Sequence, residues 1–245
     1  MTATAIVRGF ELEALVVFAI VGAKVLRDAR AARRLTPFGA LFVGGLAVAL
    51  VGDPIANWGL TALYSDVFFL LPRAFGLGLS PAQSWAVVFA YPWCFPMLAY
   101  AGRWLARACG GRSALAGFVG GCVTGGVMFV LSVPLTFVPH RVIVYQRAPL
   151  ALTLHAGAPE QVQLLDVFGV TAFIGLFAAV LMPGPRASRF ERWLPATSGG
   201  RAAFASAMLL GFFLLAFSPT LAVRLLALDD VTAFQTSPFP GVASY

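Results

Sequence analysis

Charge is what this sequence has least of. Aspartate, glutamate, lysine and arginine together make up 11% of its 245 residues, against 60% hydrophobic residues. Soluble domains carry about 25% charged residues. A water-soluble chain of this composition would need an implausibly large core, so that class is excluded. Histidine is almost absent: two residues cannot furnish the multi-histidine di-iron centre of membrane desaturases and hydroxylases. The three cysteines, Cys94, Cys109 and Cys122, show no CxxC spacing and read as small apolar residues in helices. HExxH, GxxxxGK and GxSxG are all missing, and no stretch reads as an extramembrane domain able to hold a nucleotide. A basic leader with a short apolar run and a small-residue cleavage site is missing too. The first apolar run instead contains Glu11 and Glu13 and ends in basic residues, the pattern of an uncleaved span.

What charge there is falls in a pattern. Twelve of the 17 basic residues form three clusters: Lys24, Arg27, Arg30, Arg33 and Arg34; Arg103, Arg107 and Arg112; Arg186, Arg189, Arg192 and Arg201. Eight of the ten acids lie elsewhere. The clusters sit at the ends of long apolar stretches, so the net charge of +7 reflects membrane topology and lipid headgroups rather than nucleic acid. The sequence predicts an all-α, polytopic transmembrane helix bundle in a cell membrane. Its spans are 6–26, 37–52, 85–106, 113–133, 162–182 and 202–221. Residues 1–228 form one helical domain, and 229–245 a polar tail with little regular structure.

Parity decides the ambiguous stretch from 134 to 159. Basic loops 24–34, 103–112 and 186–201 belong together on the cytoplasmic face. An odd number of crossings must then separate 133 from 183, with both termini on the opposite side. The run 142–157 is short and interrupted by Gln146, Arg147 and Pro149. It is expected to be re-entrant or interfacial, around 140–158; backbone of that kind must be sheltered by protein or line a cavity. The alternative is a seventh span, at the expense of the positive-inside bias.

Two features concern packing. Gly117, Gly121 and Gly125, with Gly120 and Gly126, put small residues along one helix and predict a close interhelical seam rather than a phosphate loop. Pro92 and Pro96 within YPWCFP each remove a helix hydrogen bond. They predict a kink that either accommodates neighbours or opens a pocket.

The candidate chemistry lies opposite the basic clusters. Asp53 reads as a helix cap with Pro54 at the first helical position, but Asp53 and Asn57, four apart, can address one point together. An Asp at the centre of a span costs about 2.5 kcal/mol or more, which marks it as a functional candidate. Asp66 follows near the end of the same stretch. His140, Arg141, Tyr145, Glu160 and Asp166 form a second constellation. Arg141 can simply anchor to headgroups, and Glu160 can be a solvated first-turn acid. Asp166 lies about one turn deeper, where a carboxyl that keeps its proton can act as a general acid. Candidate catalytic residues are therefore Asp53, Asn57, His140, Tyr145, Glu160 and Asp166, with Trp58, Asp66, Trp93 and Arg141 as substrate contacts. No metal or cofactor is called for.

These residues give the chain a resemblance to the AveC-type spirocyclases, multi-pass membrane proteins of polyketide pathways. Carrying it are the Asp53-to-Asn57 element with Tyr64 soon after, YPWCFP, and the Tyr145 region leading into LTLHAGAPEQVQLLD. It spans roughly residues 36–182, and the match around 157–163 lacks the aromatic expected after the glutamine. The resemblance implies cofactor-free closure of a dihydroxyketone to a spiroketal, with or without dehydration. Asp166 or Glu160 would be the acid, Asp53 the base or cation stabiliser, and Asn57, Tyr145 and His140 the groups that orient hydroxyls. The partners are then a hydrophobic small molecule and the bilayer, with oligomeric state open. Competing readings are a terpenoid-type membrane cyclase, whose aromatic walls would stabilise a carbocation, and a non-enzymatic transporter. Against the transporter, no paired broken helices repeat along the chain.

Overall fold

The computed structural model describes residues 2–71, 79, 83–158, 160–184, 187–226, 232–234 and 239. Arg186, Pro159 and most of the expected tail lie outside them. Six long helical rods dominate the described residues: α1 (Ala3–Ala32); α2 (Pro37–Ala47), running through a π-helical turn (Val48–Gly52) into α3 (Asp53–Leu60); α4 (Trp85–Ala108); α5 (Ala114–Ser132), extended by a second π turn (Val133–Phe137); α6 (Leu164–Leu181); and α8 (Ser198–Leu225). A short helix, α7 (Arg189–Trp193), precedes the last. Four rods are long and apolar enough to cross a membrane: Pro37–Leu60, Ala114–Phe137, Leu164–Leu181 and Ser198–Leu225. α1, with its acids and bases, and α4, with its prolines and polar-tipped aromatics, fall short of that standard.

Small residues set the packing. A Cβ on Gly117 would lie 3.0 Å from the Ala178 carbonyl, and one on Gly121 2.5 Å from that of Ile174, so α5 and α6 touch backbone to backbone, antiparallel. A Cβ on Gly120 would come closer still to α4, 2.2 Å from the Gly102 carbonyl oxygen. The glycine seam is therefore real, and it binds α5 on two sides. Gly44, Gly52 and Gly59 face Ala205, Phe213 and Leu221 in turn, so the α2–α3 rod runs parallel to α8. Phe95, Phe173, Phe213 and Phe217 fill the middle of the bundle with edge-on and stacked contacts.

Alternating directions gather the basic stretches at one end. There Arg201 donates to the carbonyls of Pro195 and Leu35, both at 2.8 Å, while the Leu35 amide donates to Ser198 at 3.0 Å. Phe38 and Tyr100 meet as a tilted ring pair, bringing the start of α2 beside the later part of α4.

The all-α expectation needs amending at the opposite end. Among the described residues eight short strands pair there: β1 (Ala62–Tyr64) with β4 (Ile143–Tyr145), β2 (Leu70–Leu71) with β3 (Gln83–Ser84), β5 (Arg147–Pro149) with β8 (Thr232–Phe234), and β6 (Thr153–Leu154) with β7 (Val162–Gln163). Residues 138–158 and 160–163 are turns, short strands and a 3-10 turn (Leu150–Leu152) rather than a long helix. The tail is not wholly irregular either, since β8 joins it to β5 and Phe239 packs against Leu63 and Val144. Buried glutamines help satisfy the irregular backbone. Gln163 donates to the Leu60 carbonyl at 2.6 Å, and Gln161 donates to the Tyr145 carbonyl while accepting from the Gly157 amide at 2.9 Å. Peptide groups left unpaired at membrane depth would each cost several kcal/mol.

Candidate functional site

A cavity of about 1220 Å³ opens among α1, α3, α4, α5 and α6, away from the basic end. Its walls are mainly apolar, and its aspartates anchor two polar clusters.

The first is built on Asp53. The π turn and Pro54 cooperate here. In the wide π register the Ala49 carbonyl would look to residue 54, but proline has no N–H. Gln83 supplies the missing donor, its side-chain amide reaching the Ala49 carbonyl. The same amide lies 3.4 Å from Asp53 Oδ2, which also accepts from Asn57 Nδ2 at 2.8 Å. Asp53 Oδ1 accepts from the Tyr91 hydroxyl at 2.5 Å, and Tyr64 lies within hydrogen-bonding reach of the same carboxylate. Asp53 is not the helix cap the sequence suggests. Its φ of −60° and ψ of −46° are helical, because the π turn carries the chain through Pro54 without a break.

The second cluster is Asp166, in the first turn of α6, accepting from the Tyr145 hydroxyl on β4. Tyr145 is fully buried, and burial together with the adjacent Asp166 raises its phenol well above the usual 10. It therefore remains a donor across the physiological range. Asp166 accepts from no other group among the described residues, whereas Asp53 collects several donors. The two carboxyls are close enough to interact electrostatically.

Asp53, Asn57, Tyr145, Asp166, His140 and Trp93 all line this cavity. The Nδ1 of His140 is 2.8 Å from the Thr136 carbonyl, which can only accept, so that nitrogen carries the proton. The remaining candidates lie elsewhere. Glu160 and Asp66 are solvent-exposed, Asp66 with Ser65 3.4 Å away, and Arg141 is exposed with a left-handed φ of 53°. Trp58 faces Arg224, whose guanidinium lies 5.5 Å from its ring. Tyr91, Tyr64 and Gln83 complete the site, although sequence reasoning did not single them out as site residues. The available signal was weak: a tyrosine immediately before the intrahelical Pro92, and a tyrosine following the Asp53–Asn57 element.

Glu13 also lines the cavity, from α1, and is exposed. Among the described residues no three His, Cys, Asp or Glu side chains converge as metal ligands would. No protein-family model matches the chain, and neither the curated proteins nor the solved structures yield a match.

Proposed function

We propose that this protein is a six-span membrane cyclase that closes an apolar hydroxy-ketone by acid/base chemistry, with spiroketal formation from a dihydroxyketone as the specific reaction. The observation that carries the reading is the pair of carboxyl–phenol couples, Asp53–Tyr91 and Asp166–Tyr145, facing one apolar cavity. In this reading α1 and α4 cross the bilayer with the four more apolar rods, the basic end is cytoplasmic and both termini are on the opposite side. The AveC-type resemblance implies the same reaction.

The two acids take different roles because their surroundings differ. Asp53, held by several donors, acts as a carboxylate; Asp166, with one, supplies the proton. One substrate hydroxyl adds to the ketone to give a hemiketal. Asp166 protonates the hemiketal hydroxyl, which leaves as water, and the resulting oxocarbenium ion is stabilised by Asp53. The second hydroxyl attacks that ion and gives its proton to Asp53, and return of this proton to Asp166 resets the site. The sum is dihydroxyketone to spiroketal plus water. Tyr91, Tyr145 and Asn57 hold the acids in place, and His140 orients a hydroxyl. Exclusion of water keeps the cation from being hydrated before it closes.

The test is incubation of wild-type and variant membranes with a dihydroxyketone, followed by chiral separation of the spiroketals. Wild type should shift the isomer ratio from its spontaneous value. Asp53→Asn and Asp166→Asn should restore the spontaneous ratio at unchanged expression. The spontaneous ratio from wild type would defeat the proposal, and unaltered movement of a solute across proteoliposomes would favour a transporter.

A further inference from the structure

The cavity is not closed on all sides. α1 packs on α2 and α4, whereas α5 packs on α4 and α6, so α1 and α5 stand as two banks over α4. Along the α5 bank, Val123, Val127, Leu131 and Leu135 line the cavity and yet are 48–62% exposed. On the α1 bank, Ala5 and Gly9 line it and are exposed as well. This opening runs along the flanks of the helices, where lipid would lie, rather than through their ends.

Its chemistry is one-sided. Each hydroxyl on the α5 bank is spent on backbone: Thr124 on the Leu98 carbonyl at 3.1 Å, Ser132 on Met128 at 2.8 Å, and Thr136 on Leu131 at 2.7 Å. The banks therefore present methyl groups to an arriving molecule. Glu13, on the α1 lip, is the exception, able to accept from a hydroxyl as it passes. Groups that can address oxygen functions, including Asp53, Tyr91, Asp166 and His140, lie on other walls of the same space.

We propose that the cavity is loaded sideways from the hydrocarbon phase, through the gap between α1 and the second half of α5. The entrant is a single-chain amphiphile, a long apolar body carrying hydroxyl or carbonyl oxygens. This rests on the membrane reading above but not on cyclisation. Gly9 tests it cleanly. A Cβ there meets no atom within 4 Å, so a side chain can root at the mouth without a clash, and Gly9→Trp supplies the bulk. Gly211 on α8 also has nothing within 4 Å and provides a control.

The experiment uses the full chain in phosphatidylcholine vesicles with a long-chain alcohol bearing a diazirine, and peptide mapping after illumination. Wild type and Gly211→Trp should be labelled within 91–98 and at 140–145, and Gly9→Trp should lose that labelling severalfold. Equal labelling of Gly9→Trp, or none in wild type, overturns the proposal. So does equal labelling of the same peptides by a diazirine phospholipid, which would make the gap a lipid groove. Asp53→Asn should still be labelled, so failure of cyclisation and failure of lateral entry give different results.

Discussion

At the scale of single residues, Asp53 is held by donors from three elements, Asn57, Tyr91 and Gln83. Replacing it with alanine strands the Tyr91 hydroxyl and the buried Asn57 amide, each at about 1–3 kcal/mol, while Gln83 keeps its bond to the Ala49 carbonyl. Asp53→Ala should therefore lower the unfolding temperature in detergent markedly and abolish turnover. Asp53→Asn should remove turnover with a smaller loss of stability, since an amide still offers one acceptor. Equal melting of the two variants would contradict the network. Tyr145 makes a pH prediction. Its phenol is raised in the folded state, so below the unfolded value of about 10 both states keep the proton. Above that, the unfolded chain ionises first and stability falls by up to about 1.4 kcal/mol per pH unit, until the folded phenol also titrates. Tyr145→Phe should flatten the loss of thermal stability between about pH 10 and 11 relative to wild type.

Elements show why only part of the site could be read from the chain. Asp53 and Asn57 sit four apart on one helix, so their convergence is local and visible in sequence. Tyr91 and Gln83 reach Asp53 only because Gly45 lets α2 approach the backbone of α4 at Pro92, where an added Cβ would lie 2.6 Å from the Pro92 Cα. That register is tertiary, and nothing within either segment announces it. Strands of two or three residues are too short to show alternation, which hid the β pairs. Glu160 and Asp166 look alike in sequence, but one lies ahead of β7 in an exposed turn and the other inside the first turn of α6. The glycine seam was legible because four-residue spacing is itself the signal. It is also directly testable. Gly120→Ala should destabilise by about 1–3 kcal/mol through overpacking against Gly102. Gly126→Ala, whose Cβ would meet Thr171 at a comfortable 3.6 Å, should stay within about 1 kcal/mol of wild type. Comparable melting of the two would refute close α4–α5 contact.

For the whole molecule, the division into a basic end and a cavity end was readable from charge placement, and the helix directions agree with it. A native reporter of sidedness is already in place. Cys109 is exposed at the end of α4 beside the second basic cluster, whereas Cys94 and Cys122 are half-buried within helices. A membrane-impermeant maleimide should leave intact cells unlabelled and modify the protein after permeabilisation, with Cys109→Ala removing the signal. Labelling of intact cells through Cys109 would invert the proposed topology.

The π turn at Val48–Gly52 carries a consequence of phase. An α-helix turns about 100° per residue, and a π turn holds a surplus residue, so every side chain beyond it is offset from the angle a regular helix would give. The segment ahead of the turn is keyed to α8 and α4 by Gly44 and Gly45, while the segment beyond it carries the acid and amide. The bulge thus acts as an angular spacer that lets both halves keep their contact with α8 while the acid and amide face the cavity. Deleting the half-exposed Leu50 should let the rod become regular and keep its length within one residue. It should also swing Asp53 and Asn57 by about 100° out of the cavity, and Gly52 and Gly59 off α8, so that the variant loses turnover and melts below wild type.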